Sequence, residues 1–235
     1  MILLKPSTTI RSVTKNALEV IECAGRTAYK SEAKITDGSA EKFIASIIKR
    51  GHESVLEHAS MSVHFVIDRG VSHELVRHRL AAFTQESTRY CNYKGGVTFI
   101  IPPWVDITPG EYLHLHDYKD DIDPFPKWRW FQMCLVSERC YKDLLADKWT
   151  PQQARSVLPN SLKTEITVTA NMREWRHIFK LRCANDAHPQ MREVMIPLLN
   201  TVAEMYPALF TDIQEKLCDS RIYIQTSENN PPKTS

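Results

Sequence analysis

From Ser60 to Phe65 the chain alternates strictly, with Met61, Val63 and Phe65 apolar and Ser60, Ser62 and His64 polar, and Ile67 continues the apolar face. Successive side chains of a strand point to opposite faces, so this period of two predicts a half-buried β-strand. Leu162, Ile166, Val168 and Ala170 predict a second strand with one apolar face, and Val97–Ile101 a short one that stops at Pro102-Pro103. Residues 2–5 fit a short first strand.

The other segments follow a period near 3.6. A helix fits 14–27, with Ala17, Leu18, Ile21 and Ala24 at helical spacing. A second fits 40–50, with Ser39 as N-cap, Phe43, Ile44, Ile47 and Ile48 inward and Gly51 at its C-terminus. A short helix follows Asp68, with Val71, Leu75 and Val76 inward. A long one fits 126–147, with Trp130, Cys134, Tyr141, Leu144 and Leu145 on one side. Thr150-Pro151-Gln152-Gln153 and Asn171 with Glu174 are helix starts, the latter leading into the stripe Trp175, Ile178 and Phe179. Pro189 precedes a final helix around 190–206. Residues 106–124 read as an acidic surface excursion, and 226–235 as a disordered tail. Strands and helices do not alternate regularly, which disfavours a doubly wound parallel sheet. One α+β domain over residues 1–225 is expected.

No apolar run approaches the length of a bilayer span, and Met-Ile-Leu-Leu-Lys turns polar at once, so neither a membrane segment nor a signal peptide is expected. None of the six cysteines forms a C-x-x-C pair. A reducing, cytoplasmic setting with free thiols is the expectation. Seven glycines and no G-x-G-x-x-G make a Rossmann dinucleotide site improbable.

The net charge of +2 is concentrated in two islands, Arg69–Lys94 and Asn171–Arg192, each with five basic residues against two acidic ones. They suggest a local anionic ligand, although two solvated helix faces would look the same. The first island contains Arg77-His78-Arg79-Leu80-Ala81-Ala82-Phe83-Thr84-Gln85-Glu86-Ser87-Thr88-Arg89-Tyr90.

This string resembles the signature of the flavin-dependent thymidylate synthases, an Arg-His-Arg triplet followed after seven residues by Ser. Four more segments are similar to that family in the same order. They are Gly51-His52-Glu53-Ser54-Val55-Leu56-Glu57-His58, Ala154-Arg155-Ser156-Val157-Leu158-Pro159, Asn171-Met172-Arg173 through Leu181-Arg182, and His188-Pro189-Gln190.

The resemblance implies an α+β fold with a mainly antiparallel sheet packed against helices. It implies reductive methylation of dUMP to dTMP, with FAD as cofactor, NADPH as reductant and 5,10-methylenetetrahydrofolate as carbon donor. It also implies a homotetramer with sites shared between subunits, and neither a membrane nor a nucleic-acid polymer as partner. Carried over residue by residue, it puts Ser54, Glu57, Arg77, His78, Arg79, Gln85, Asn171, Arg173 and His177 on the flavin. Glu74, Arg77, Gln85, Glu86, Ser87, Thr88, Arg89, Arg155 and Arg182 go to dUMP. Arg182, Ser87 and His52 lie closest to the chemistry. His177 stands where some members have Asn, Glu74 where some have Gln, and Thr84-Gln85 where others have Asn-Glu.

Physical chemistry is compatible with these roles. The planar donor forks of Arg89 and Arg155 suit a phosphate. A guanidinium at the N3/O4 edge of uracil would stabilise an N3 anion and enrich carbon 5, without cysteine attack at carbon 6. Arg182, seven residues after Trp175, sits at the end of an apolar stripe, where it needs a partner; a snorkelling arginine at a helix C-terminus is the bland alternative. No base and orienting group accompany Ser87, so it reads as a hydrogen-bonding residue and not a nucleophile. His52 and His58 do not make H-E-x-x-H, and no metal is expected. Two other classes stay open: a nucleic-acid-binding domain using the two islands with Tyr90 and Tyr93, and a zinc hydrolase built on His52, His58 and His78.

Overall fold

The structure is a computed structural model that describes residues 1–117 and 125–228, without the side chains of 125 and 218–228. In chain order the elements are β1 (Ile2–Leu4), β2 (Ser7–Val13), α1 (Ala17–Thr27), α2 (Ser39–Lys49), β3 (Ser60–Asp68), α3 (Arg69–Leu75), β4 (Ala81–Gln85), β5 (Thr98–Ile100), β6 (Gly110–Glu111), α4 (Phe125–Ala146), α5 (Pro151–Ala154), β7 (Lys163–Asn171), α6 (Met172–Arg182), α7 (Pro189–Met205) and α8 (Pro207–Glu228). One sheet has the order β5-β1-β6, with β1 parallel to β5 and antiparallel to β6. The other has the order β2-β3-β7-β4. In it Ser62 meets Thr169 and His64 meets Thr167, so β3 and β7 run antiparallel. The chain is thus mixed α+β with a mainly antiparallel sheet.

The chain divides into two compact units. The first comprises Met1–Thr9, His64–Arg77 and Phe83–Thr167; the second comprises Ile10–Val63, His78–Ala82 and the chain from Val168 onward.

In the first unit, one face of β1 and β5 closes on α4. Leu3, Phe99, Phe131, Cys134, Tyr141 and Leu162 are buried together, with Trp130, Leu144 and Leu145 packed on their margin. The alternation read in β7 holds, with Thr164 and Ile166 inward. Asp68 caps α3 by accepting from the Val71 N–H at 2.7 Å. Val71 and Leu75 are buried as expected, but Val76 is 37% exposed because it lies beyond the last helical turn.

The second unit is built on helices: α1 lies against α2, α6 against α7 and α8, and α7 against α8. Trp175, Ile178 and Phe179 are fully buried, as their stripe predicts. Asn171 caps α6 through the Glu174 N–H at 2.8 Å. Gly51, at φ 73°, ends α2 with two bonds, Gly51 N–H to Ile48 O and His52 N–H to Ile47 O, a paired pattern that favours a left-handed glycine. Ser39 is not the N-cap. It is the first helical residue, and its hydroxyl donates to the buried Glu22 at 2.7 Å. Glu22 also holds Arg26, whose guanidinium covers the Phe43 ring.

Several elements differ from expectation. β2 occupies residues to which the sequence pattern assigned no element, and α1 starts only at Ala17 because Asn16 is left-handed. The helix from Pro189 is not the last, since α8 follows from Pro207. The tail expected over 226–235 lies outside the described residues from 229 on, as does 118–124 of the acidic excursion. Residues 106–117 of that excursion are mostly exposed.

Candidate active site

The residues singled out in the sequence fall into two clusters, one in each unit.

In the first unit, β4 and the turn after it run beside β7, with the Glu86 N–H donating to Glu165 O at 2.8 Å. Glu86 is a hub. It accepts from Tyr93 Oη at 2.7 Å, from Lys163 Nζ at 3.1 Å and from the Glu165 N–H at 3.2 Å. Lys163 Nζ also pairs with Glu165 at 2.5 Å, and Glu165 with His64 at 3.1 Å. Burial, then the bond to Glu86, pushes the Tyr93 phenol far above its usual range, so it donates as a neutral hydroxyl. Burial by itself would lower the Lys163 ammonium, but its bonds to Glu165 and Glu86 outweigh that and raise it.

The neighbours of Glu86 are also paired. Gln85 Nε2 donates to Ser72 Oγ at 2.9 Å and to Thr164 Oγ1 at 3.2 Å. Arg155 donates to the buried Thr88 hydroxyl at 2.9 Å, and Arg89 Nε to Gln152 at 2.9 Å. Ser87 accepts from the Arg89 N–H at 3.3 Å, and among the described residues no imidazole or carboxylate is bonded to its hydroxyl, in keeping with a binding role. Glu74 is half-buried, and Arg77 is exposed just past α3. The cationic forks of this cluster, Arg77, Arg89 and Arg155, are all exposed.

In the second unit the cluster forms on α6, the 3-10 segment Glu53–His58 beside it, and the turn carrying His78. His78 is 4% exposed, between the exposed Arg77 and Arg79. Its Nε2 lies 2.9 Å from Arg182 Nε and its Nδ1 lies 3.5 Å from Glu174 Oε1. The His177 ring stands edge-on to it at 5.8 Å. Burial, then the positive charge of Arg182 and the proximity of His177, lowers the His78 pKa to about 4, so the ring is neutral at physiological pH. Arg182 therefore has the partner that its place on the stripe demanded. Glu57 receives Arg173 at 2.6 Å. His52, Ser54, Glu57, Arg173 and His177 are all exposed, and Asn171 uses its side-chain oxygen to cap α6.

Two expectations change here. Arg176, counted in the second basic island, is 1% exposed and bonded bidentately to Asp212 at 2.7 and 2.8 Å, with Leu209 O as a further acceptor. It is a structural arginine, buried by the hydrophobic packing of its helix. Burial raises the Asp212 carboxyl, but the Arg176 bonds more than offset this and hold it below its usual range. The grouping His52, His58 and His78 is not formed. Among the described residues, the side chains close enough to share a cation are His78, Glu174 and His177, with donor atoms within 4.8 Å of one another. The guanidinium on His78 Nε2 opposes a cation there.

Not evident from the sequence were the contact of Glu174 with His78 and the bonds of Tyr93 and Lys163 to Glu86. The one available signal was composition: Glu174 and Lys163 are charged residues in segments of buried periodicity, where a charge is rarely left unpaired.

Comparison with known proteins agrees with the motifs. The family described as Thymidylate synthase complementing protein matches residues 9–208. A flavin-dependent thymidylate synthase of Mycobacterium avium is 34% identical over 202 residues, covering 83% of this chain and 79% of that protein. One from Mycobacterium tuberculosis is 33% identical over the same shares. Among solved structures, the UMP/dUMP methylase PolB from Streptomyces cacaoi, bound with 5-Br dUMP, shares the fold at a TM-score of 0.70 and 23% identity, over 90% of this chain and 96% of that one.

Proposed function

The chain belongs to the thymidylate synthase complementing protein family, whose curated relatives are flavin-dependent thymidylate synthases, and from that premise we propose that it methylates dUMP to dTMP. The carbon comes from 5,10-methylenetetrahydrofolate and the reducing equivalents from NADPH. The observation that carries the reading is the Arg182–His78 contact at 2.9 Å. It holds a guanidinium by a buried neutral ring, at the motif position the family uses on the uracil.

In this reading Arg89 and Arg155 grip the phosphate of dUMP, and Ser87 and Thr88 hydrogen-bond the nucleotide. Glu86, anchored by Tyr93 and Lys163, sets the backbone that presents them. Arg182 faces the N3/O4 edge of uracil and stabilises negative charge there, which makes carbon 5 nucleophilic. No thiol is required at carbon 6. Cys183, adjacent to Arg182, is buried at 1% exposure, and burial pushes the Cys134 thiol up to about 12.

The second unit's donor set fits a flavin dinucleotide. Exposed Arg79 and Arg173 suit a diphosphate, Ser54 and Glu57 suit ribose hydroxyls, and His52 and His177 offer polar ring edges to a heterocycle. Bound FAD would supply the hydride that completes the methyl group. The homotetramer implied by the family fits the exposure of Leu80, Tyr90 and Leu181, at 76, 77 and 50%, each adjacent in sequence to a site arginine. No helix among the described residues is long and apolar enough to cross a membrane.

The test is direct. The purified protein should be yellow, its colour should bleach with NADPH, and it should release dTMP from dUMP and methylenetetrahydrofolate. A colourless protein that forms no dTMP with added FAD overturns the reading.

A further inference from the structure

Glu174 is a carboxylate that the proposed reaction does not use. It lies in the first turn of α6, is 7% exposed, and approaches His78 Nδ1 at 3.5 Å. Arg182, in the last turn of the same helix, approaches the other ring nitrogen, Nε2, at 2.9 Å. The imidazole thus bridges the two ends of one helix face.

The donor inventory decides the tautomer. Arg182 Nε can only donate, so His78 Nε2 must present its lone pair. A neutral imidazole then carries its proton on Nδ1, the nitrogen that faces the carboxylate. The ring is neutral because burial and the adjacent guanidinium disfavour its cation. Were the proton on Nε2 instead, two N–H groups would face each other and the Arg182 contact would be lost. A guanidinium is planar, so fixing its Nε–H sets the plane of its whole donor fork.

We propose that Glu174 is a positioning residue for the methyl transfer: by accepting from His78 Nδ1–H it fixes the ring tautomer, and through the ring the plane of Arg182. The arrangement repeats the logic by which a carboxylate orients a histidine in other enzymes, with an arginine as the group oriented. The inference rests on the reading that Arg182 acts on the nucleotide.

The experiment is a double-mutant cycle on the holoenzyme at saturating FAD, NADPH and folate, with dUMP varied. Glu174→Ala should lower kcat roughly tenfold, the worth of one charge-assisted hydrogen bond, with little change in the KM for dUMP. The rate at which NADPH bleaches the flavin without dUMP should stay at the wild-type value, which a merely unfolded site would not allow. Glu174→Gln can accept from Nδ1–H through its amide oxygen, without the carboxylate charge, so it should recover part of the loss. In an Arg182→Lys background, which lacks the planar fork, Glu174→Ala should cost nothing further. Should Glu174→Ala fail to fold, Glu174→Gln takes its place in the cycle, with roughly a threefold loss expected that Arg182→Lys abolishes.

Near-normal turnover by Arg182→Ala would sink the nucleotide reading and this inference with it. Inactive Arg182→Ala beside Glu174 variants within twofold of wild type, or losses that add independently, would overturn the positioning role alone.

Discussion

The two clusters are built on opposite principles. In the first unit, most of the side chains assigned to the nucleotide are held by hydrogen bonds within that unit. Glu86 holds Tyr93, Lys163 and the Glu165 N–H; Gln85 holds Ser72 and Thr164; Thr88 holds Arg155. In the second unit, five side chains assigned to the flavin, Ser54, Glu57, Arg79, Arg173 and His177, are exposed, while His78 is a buried neutral imidazole between a carboxylate and a guanidinium. A network of satisfied charges is preorganised and loses stability when one member is removed. An exposed donor set contributes little to folding and can be spent on a ligand. The contrast predicts that mutations separate: stability effects in the first cluster, cofactor and rate effects in the second.

The largest expected effect is on rate. Arg182→Ala should reduce methylation by about 10²–10³-fold, the range for removing a preorganised electrostatic donor, with FAD still bound and the melting temperature little changed. Steady-state assay beside the flavin absorbance checks this, and parallel loss of stability would blur the distinction between clusters.

Next is a pH effect of the second unit alone. An unfolded imidazole takes up its proton as pH falls through 6.5, whereas folded His78 does so only near 4. Its contribution to stability is present above pH 6.5 and is lost as pH falls from 6.5 to 4, by at most about 3 kcal/mol at ~1.36 kcal/mol per unit. In the first unit Glu165, lowered chiefly by its bond to Lys163, keeps its contribution until the pH falls below 4.5. Unfolding midpoints at pH 7 and pH 5 should therefore drop more for wild type than for His78→Gln. Equal drops would break the comparison.

Third, Glu86→Ala leaves Lys163 and the Tyr93 hydroxyl without their shared acceptor and should cost roughly 2 kcal/mol in denaturant unfolding, while FAD content stays normal. Loss of FAD without loss of stability would reverse the assignment of the clusters.

The smallest effect is expected at Arg79. Arg79→Ala should leave stability within about 0.5 kcal/mol, as for other exposed positions, yet weaken FAD retention on gel filtration. Unchanged FAD content removes Arg79 from the cofactor set.

Much of this architecture was legible because its causes are local. The Asp68 and Asn171 caps, the left-handed Gly51 and the period-two faces of β3 and β7 each depend on residues within a few positions of one another. β2 was not legible because its residues are all exposed or half-buried, which leaves almost no hydropathy contrast to read. β4 was hidden within a motif read for its chemistry, where Ala81-Ala82-Phe83-Thr84-Gln85 shows no alternation. Arg176 counted toward the second basic island because charge alone does not distinguish a solvated arginine from one paired with Asp212, 36 positions away.

By itself the amino-acid sequence determined the family, the Asn171 cap and the strand faces, and which residue types stand ready for a phosphate and a uracil. Only the tertiary structure decided which of them are already spoken for. The proton on His78 is the sharpest case, since its position follows from Arg182, 104 positions along the chain, and from the carboxylate on the ring's other side. Burial, mutual distance and the pairing of charges are properties of the packed chain, and no local pattern encodes them.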